Sequence, residues 1–147
     1  MTAFDLRSAR AEDWPRAWEI QREAFLDLVT ATRGGWTEEL QHECRMAWNA
    51  ERTRMVEADG QPIGWVRVEH RPDHDWLDLV VIDRSRHGRG LGAAVMRVLI
   101  GEAHARGVPL VLSVYRANPA RRLYARLGFV ETPRDEVRVT MTLAPPA

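Results

Sequence analysis

The sequence predicts a single α+β domain, and three observations carry that prediction. Apolar residues recur at helical spacing in some stretches, as at Trp14, Ala17, Trp18, Phe25 and Leu28, and form short extended runs in others, as in "DWLDLVVID". The dipeptide Asp59-Gly60 separates two such runs in the manner of a tight hairpin. Between about Asp75 and Tyr115 the chain reads strand, glycine-rich loop, helix, strand. The chain has 147 residues, enough for one domain to bury a core without metal or disulfide support, and no linker is evident within it.

Taken in order, Phe4 to Ser8 is a short strand, and "AEDWPRAWEIQREAFLDLV" is an amphipathic helix that the Gly34-Gly35 pair ends. "TEELQHECRMAW" is a second helix, opened by Thr37 as its cap with acidic residues just inside. "TRMVEADGQPIGWVRVEH" supplies two hairpin strands around Asp59-Gly60. "DWLDLVVID", after the turn at Pro72 and Asp73, is apolar enough to be a central strand. A helix from about Leu91 to Arg106, closed by Gly107, leads into the strand "PLVLSVY". "NPARRLYARLGF" opens with Asn118 as a cap and Pro119 at the first helical position, and ends at Gly128. Two closing strands follow, Phe129 to Val130 and Val137 to Leu143. The tail from Ala144 is expected to fray. The predicted order is β, α, α, β, β, β, α, β, α, β, β.

Composition excludes several classes of function. Lys and Arg total 21 against 21 Asp and Glu, so the overall charge recommends neither nucleic acid nor an acidic membrane as partner. The single cysteine, Cys44, rules out an internal disulfide framework and a cysteine-based zinc cluster, and it has no evident base to activate it. The opening "MTAFDLRSARAEDW" has no apolar signal core, and no stretch approaches the roughly 20 apolar residues that a membrane span requires. A soluble cytoplasmic protein is expected, with no metal.

The most informative stretch is "RHGRGLGAAV", Arg86 to Val95. Glycines at every second position strip side chains from a turn, and a helix beginning near Leu91 turns its unpaired N–H groups back toward it, which together make an anion site. A tight strand-to-helix turn would also ask for glycine. A P-loop is excluded because Gly90 is followed by Leu91 rather than by Lys and Ser or Thr. Gly88, Gly90 and Ala93 satisfy G-x-G-x-x-A, but a dinucleotide fold wants the loop after its first strand and an acidic residue about 20 positions on, where this chain has Ser113 to Arg116.

The Gly90-x-Gly92 loop after an apolar strand, the following helix, the strand "LVLSV" and then "NPARRLYARLGF" resemble the GNAT superfamily of acyl-coenzyme A dependent N-acetyltransferases. The resemblance covers nearly the whole chain and is strongest over Val80 to Ala94 and Asn118 to Phe129. It implies a three-layer αβα fold with a central, mixed, mostly antiparallel sheet flanked by helices. It further implies acetyl-coenzyme A as co-substrate, with Val80, Val81 and Ile82 beside its pantetheine arm and His87, Gly88, Arg89, Gly90, Leu91, Gly92 and Ala93 around its diphosphate. Two departures stand out. His87 occupies the position where the family usually has Gln or Arg, and Asn118 lies one residue closer to Tyr124 than in many members, so its contact with the coenzyme stays open.

Acetyl transfer requires a neutral amine, and freeing the lone pair of an alkylamine at pH 7 costs on the order of 4–5 kcal/mol, so a proton acceptor is needed. Asp78 interrupts an apolar strand and shares a face with Val80 and Ile82; Glu69, with His70 beside it, is the other candidate, and the family has no fixed base to choose between them. Tyr124 matches the family's general acid toward the leaving thiolate. It also falls in an apolar stripe with Ala120, Leu123 and Leu127, and a tyrosine can bury its ring while its hydroxyl reaches a cleft. Arg121, Arg122 and Arg126 lie on the opposite face of that helix, either solvated or near the coenzyme's phosphates. Trp14, Trp18 and Trp36 lie in the segment that borders the acceptor in this family, where core packing is the alternative reading.

The reaction expected is direct attack of a primary amine on acetyl-coenzyme A in a ternary complex; a non-catalytic module that senses acyl-coenzyme A would keep the loop without needing Tyr124. The acceptor is unidentified, and self-association as a homodimer is left open.

Overall fold

The computed structural model describes residues 3–147. Seven strands and five α-helices are present among them: β1 (Asp5–Ser8), α1 (Trp14–Ala24), α2 (Leu26–Arg33), α3 (Glu38–Ala47), β2 (Thr53–Ala58), β3 (Gln61–His70), β4 (Asp75–Ile82), α4 (Leu91–Ala105), β5 (Leu110–Tyr115), α5 (Ala120–Arg126), β6 (Val130–Pro133) and β7 (Arg138–Leu143). The sheet order is β1-β2-β3-β4-β5-β7-β6. β4 and β5 pair parallel, whereas β1–β2, β2–β3, β5–β7 and β6–β7 pair antiparallel. The expected α+β class with a mixed, mostly antiparallel sheet is therefore what the chain adopts. No helix among the described residues is long and apolar enough to cross a membrane.

Contacts divide the chain into two compact units. The first comprises the described residues up to Arg67 together with Leu79–Leu91. Its apolar centre is Ala17, Ile20, Met55, Trp65 and Val81, and the Trp65 indole N–H donates to the Ala17 carbonyl at 3.0 Å. The α1 entry is clamped from β1: both Arg7 Nη atoms bond Asp13 at 2.8 Å, and Arg7 Nε bonds Glu57 of β2 at 2.9 Å. Asp13 accepts the Arg10 N–H as well, and the hydrogen bond from Arg7 holds its carboxyl below the usual carboxylate range. Ala58 pairs with Gln61, leaving Asp59 (φ 54°) and Gly60 (φ 73°) as the two-residue turn that left-handed backbone permits. Gly64 is fixed by a close approach, since a Cβ there would lie 2.4 Å from the Val81 carbonyl oxygen.

The single helix expected over residues 11–29 is in fact a 3-10 turn, α1 and α2, divided at Phe25 (φ −101°, ψ 7°). The sequence around Phe25 holds no glycine or proline, Pro15 lying back in the first turn of α1. The Phe25 side chain packs against the apolar centre, a tertiary demand that periodicity does not encode. α2 ends at Gly34 in the left-handed conformation, and Thr37 Oγ1 caps α3 by accepting the Leu40 N–H at 3.1 Å, both as expected.

The second unit comprises Val68–Asp78 and Gly92–Ala147. Leu110, Leu112 and Val114 of β5 alternate inward, and β5 pairs with β7 along its whole length from Leu110↔Leu143 to Tyr115↔Arg138. Asp75, the first residue of β4, is buried; its carboxylate accepts from His70 Nδ1 at 2.8 Å and from the Arg106 guanidinium. The strand expected at Phe129 to Val130 runs instead from Val130 to Pro133, and β7 begins one residue later than expected. The last four residues carry no regular structure.

Candidate functional site

β4 ends in two buried apolar residues, Val81 and Ile82, after the half-buried Val80. Asp83 follows at once and organises the loop. Its backbone N–H donates to the Ile63 carbonyl at 2.7 Å, and its carbonyl accepts the Arg86 N–H at 2.9 Å. Its carboxylate accepts the Ser85 N–H and the Ser85 hydroxyl, both at 2.9 Å, and Arg16 Nη2 of α1 at 2.6 Å. Burial pushes the Asp83 carboxyl upward, but these three donors outweigh it and hold the group below the usual range. A one-turn 3-10 helix, Arg84–Arg86, results.

Beyond that turn the glycines are placed as the sequence suggests. Gly88 (φ 78°) and Gly90 (φ 76°) are both left-handed, and a Cβ at either would meet nothing within 4 Å. Backbone conformation therefore demands glycine there, and the space beside each is open. Arg89 is exposed and Arg86 half-buried, while Leu91 is buried at the start of α4. Ala93 is half-buried, and at Gly92 a Cβ would make an ordinary 3.6 Å contact with Leu123. The His87 ring is engaged with the protein itself: Nε2 lies 2.7 Å from the Ile82 carbonyl oxygen, to which it donates, leaving Nδ1 as the other ring nitrogen.

In the second unit Tyr124 is buried, its ring tilted against Phe129 at 5.8 Å between centroids. Burial raises its phenol from 10.0 to about 12, so it stays protonated at neutral pH. The Asn118 side-chain oxygen accepts the Ala120 N–H at 2.9 Å, so its cap function is present although α5 begins one residue later than expected. Asp78 is exposed and accepts the Trp76 indole N–H at 3.1 Å. Glu69 accepts from Arg71 at 3.0 Å. Arg121 forms a two-pronged pair with Glu131 at 2.8 and 3.0 Å, while Arg122 and Arg126 are exposed.

The tryptophans of the first unit touch in sequence: Trp36 to Trp18 at 5.0 Å, Trp18 to Trp14 at 5.8 Å, Trp14 to Trp48 at 5.7 Å and Trp48 to Trp65 at 5.4 Å. Trp18 and Trp65 are buried. Cys44 lies 3.5 Å from Gln21 Nε2, and burial pushes its thiol up, away from reactivity. Sequence reasoning missed Asp83 and Arg16. An aspartate two residues before a serine is a readable local turn signal, but a partner 67 positions away is not.

The model of the acetyltransferase (GNAT) family matches residues 10–129. A mycothiol acetyltransferase from Thermomonospora curvata is 34% identical over 120 residues, which cover 77% of this chain and 39% of that protein; the chain thus spans well under half of this relative. Among solved structures, the ribosomal-protein-S18-alanine N-acetyltransferase of Escherichia coli matches with a TM-score of 0.75 at 24% identity, over 99% of this chain and 96% of the other. The PaiA N-acetyltransferase of Thermoplasma acidophilum, solved in complex with coenzyme A, matches with a TM-score of 0.80 at 16% identity, over 97% of this chain and 99% of the other. These two structures share the fold.

Proposed function

This chain belongs to the acetyltransferase (GNAT) family, and on that premise we propose that it transfers an acetyl group from acetyl-coenzyme A to a primary amine by direct attack. The observation that carries this reading is the loop after β4, where left-handed Gly88 and Gly90 leave open space beside the backbone just before α4. Such a loop fits a diphosphate: the first N–H groups of a helix have no partner within it, and the helix dipole favours negative charge there. His87 to Ala93 hold the diphosphate, and Val80 to Ile82 offer backbone groups to the pantetheine arm.

Acetyl-coenzyme A supplies an activated acyl group as a thioester. Asp78 takes the proton that the amine must lose, with Glu69 as the alternative acceptor; each is a carboxylate outside the buried core. Tyr124 gives its phenolic proton to the departing sulfur, and burial keeps that proton in place until then. Asn118 serves the helix cap first, through Ala120, and its contact with the coenzyme is secondary. The acceptor class spans small amines, antibiotics, amino acids and protein N-termini or lysines.

The test is release of coenzyme A thiol from acetyl-coenzyme A across a panel of such amines, with calorimetric binding of acetyl-coenzyme A alongside. Binding and turnover with at least one amine are expected, and Gly90→Glu, which sets a negative charge beside the diphosphate, is expected to weaken binding by roughly 100-fold or more. Gly90→Ala, equally strained but uncharged, controls for backbone distortion. A parent protein that does not bind acetyl-coenzyme A overturns the reading.

A further inference from the structure

A carboxylate at the root of an anion-binding loop is a puzzle of sign. Coulomb repulsion alone disfavours Asp83 beside a diphosphate, so an aspartate there needs another reason. The geometry supplies one. All four polar functions of Asp83 are used: N–H to Ile63, carbonyl to Arg86, one carboxylate oxygen to both donors of Ser85, the other to Arg16. Arg16 is itself fixed, with Nη1 on Glu19 at 2.8 Å and Nη2 also 3.3 Å from the Pro62 carbonyl. The turn that launches the loop is thus tied to β3 through the backbone and to α1 through a charge pair. The next residue, Arg84, reaches Asp27 of α2 at 3.2 Å, an exposed pair that adds little.

We propose that Asp83 is a positioning residue for the coenzyme loop: braced by Arg16, it holds the Asp83–Arg86 turn so that the backbone N–H groups after it meet the diphosphate without reorganisation. This rests on the acetyl-coenzyme A reading above. Arg16 neutralises the carboxylate that the turn requires, so the loop keeps its geometry without presenting a net negative charge. Arg16 acts through Asp83 and touches no substrate.

Electrostatics and positioning predict opposite signs for one substitution, which makes the idea testable by calorimetry with acetyl-coenzyme A. Asp83→Ala is expected to weaken binding about tenfold, because the Ser85 and Arg16 hydrogen bonds are both lost. Asp83→Asn keeps an oxygen for the Ser85 N–H and is expected to recover most of that loss, to within about threefold of the parent. Arg16→Gln should resemble Asp83→Asn, and the double variant should bind no worse than either alone, since both remove the same pair.

If Asp83→Ala binds as tightly as the parent, or if Asp83→Asn binds tighter than the parent, Asp83 is a bystander whose charge merely repels, and the proposal falls. A purely structural role would lower the melting temperature of both Asp83 variants while leaving the affinity of the folded protein unchanged, and that result also overturns it. Should Asp83→Ala not fold, Asp83→Asn carries the test, because repulsion alone predicts tighter binding than the parent and positioning predicts slightly weaker binding. A parent that fails to bind acetyl-coenzyme A sinks the functional reading instead, so the two failures are told apart.

Discussion

Two aspartates bound β4, and they are built for different work. Asp75 opens the strand with its side chain 2% exposed; Asp83 follows the strand's end at 14%. Each accepts from an arginine. Around Asp75 the network closes on itself: His70 and Arg106 reach the carboxylate, Arg106 also bonds the Arg71 carbonyl at 3.1 Å, and the Asp75 N–H goes to the Pro109 carbonyl at 2.9 Å. Around Asp83 the network ends in a turn, and the turn delivers a loop whose glycines face open space. Asp75 is itself buried and its partners hold the start of β4 to its neighbours, which is work for the fold; Asp83 is less buried and its partners shape an exposed turn, which is work for the site.

The largest expected effect breaks the first side of that contrast. Asp75→Ala strips the buried member from the Arg106 pair and should cost about 3 kcal/mol, the low end for such losses because Arg106 can still reach water. A thermal melt should show it as a drop of order 10 °C. Acetyl-coenzyme A affinity, measured well below that transition, should hold. A change in affinity without a change in melting temperature would erase the distinction between the two aspartates.

Tyr124 sharpens the contrast, since it is as buried as a structural residue yet proposed for chemistry. Tyr124→Phe keeps the ring and removes the hydroxyl, so turnover should fall by roughly 10²-fold while acetyl-coenzyme A affinity stays near the parent value. Unchanged turnover, measured where chemistry limits the rate, would return Tyr124 to the apolar stripe. The same variant has a signature in stability. The folded phenol, at about 12, lies above its ordinary 10.0, so an unfolded chain releases that proton first. Stability is intact below pH 10 and is lost as pH rises toward 12, on the order of 2–3 kcal/mol from this group. Tyr124→Phe should lack that part of the alkaline decline.

The smallest effect concerns His87. Its Nε2–H is committed to the Ile82 carbonyl, which ties the ring back to the end of β4. His87→Ala removes that one hydrogen bond and is expected to weaken acetyl-coenzyme A affinity by about threefold, measured by calorimetry. Unchanged affinity would show that this ring serves Ile82 alone, which is to say that it behaves as Asp75 does and not as Asp83 does.

Much of this was legible in the residues because it is local. Thr37 is a cap, Asp59-Gly60 is a turn and Gly88-x-Gly90 is a left-handed loop, each by chemistry within four positions. What escaped reading was set by distance along the chain. Nothing near Arg16 says that it meets Asp83, and nothing near Asp75 says that Arg106 arrives 31 positions later, because each is one of 21 basic residues with 21 acidic ones to choose among. The division of the first helix at Phe25 escaped for the same reason: its cause is the packing of a ring on residues from α1, β2, β3 and β4, while the local sequence would have continued the helix. Asp78 and Glu69 were visible as carboxylates, but their engagement with Trp76 and Arg71 was not.

The run of contacting indoles has a bearing on how the protein can be watched. Trp14, Trp18, Trp36, Trp48 and Trp65 all lie in the first unit, and only Trp76 lies in the second. With neighbouring rings 5.0 to 5.8 Å apart, light absorbed by one indole passes readily to the next, so ultraviolet emission is dominated by a single collective source. Both tyrosines, Tyr115 and Tyr124, lie in the second unit. A denaturation followed at indole emission reports mainly the unit that holds the glycine loop, whereas the phenolate band that appears on alkaline titration, which indoles do not share, reports the unit that holds Tyr124.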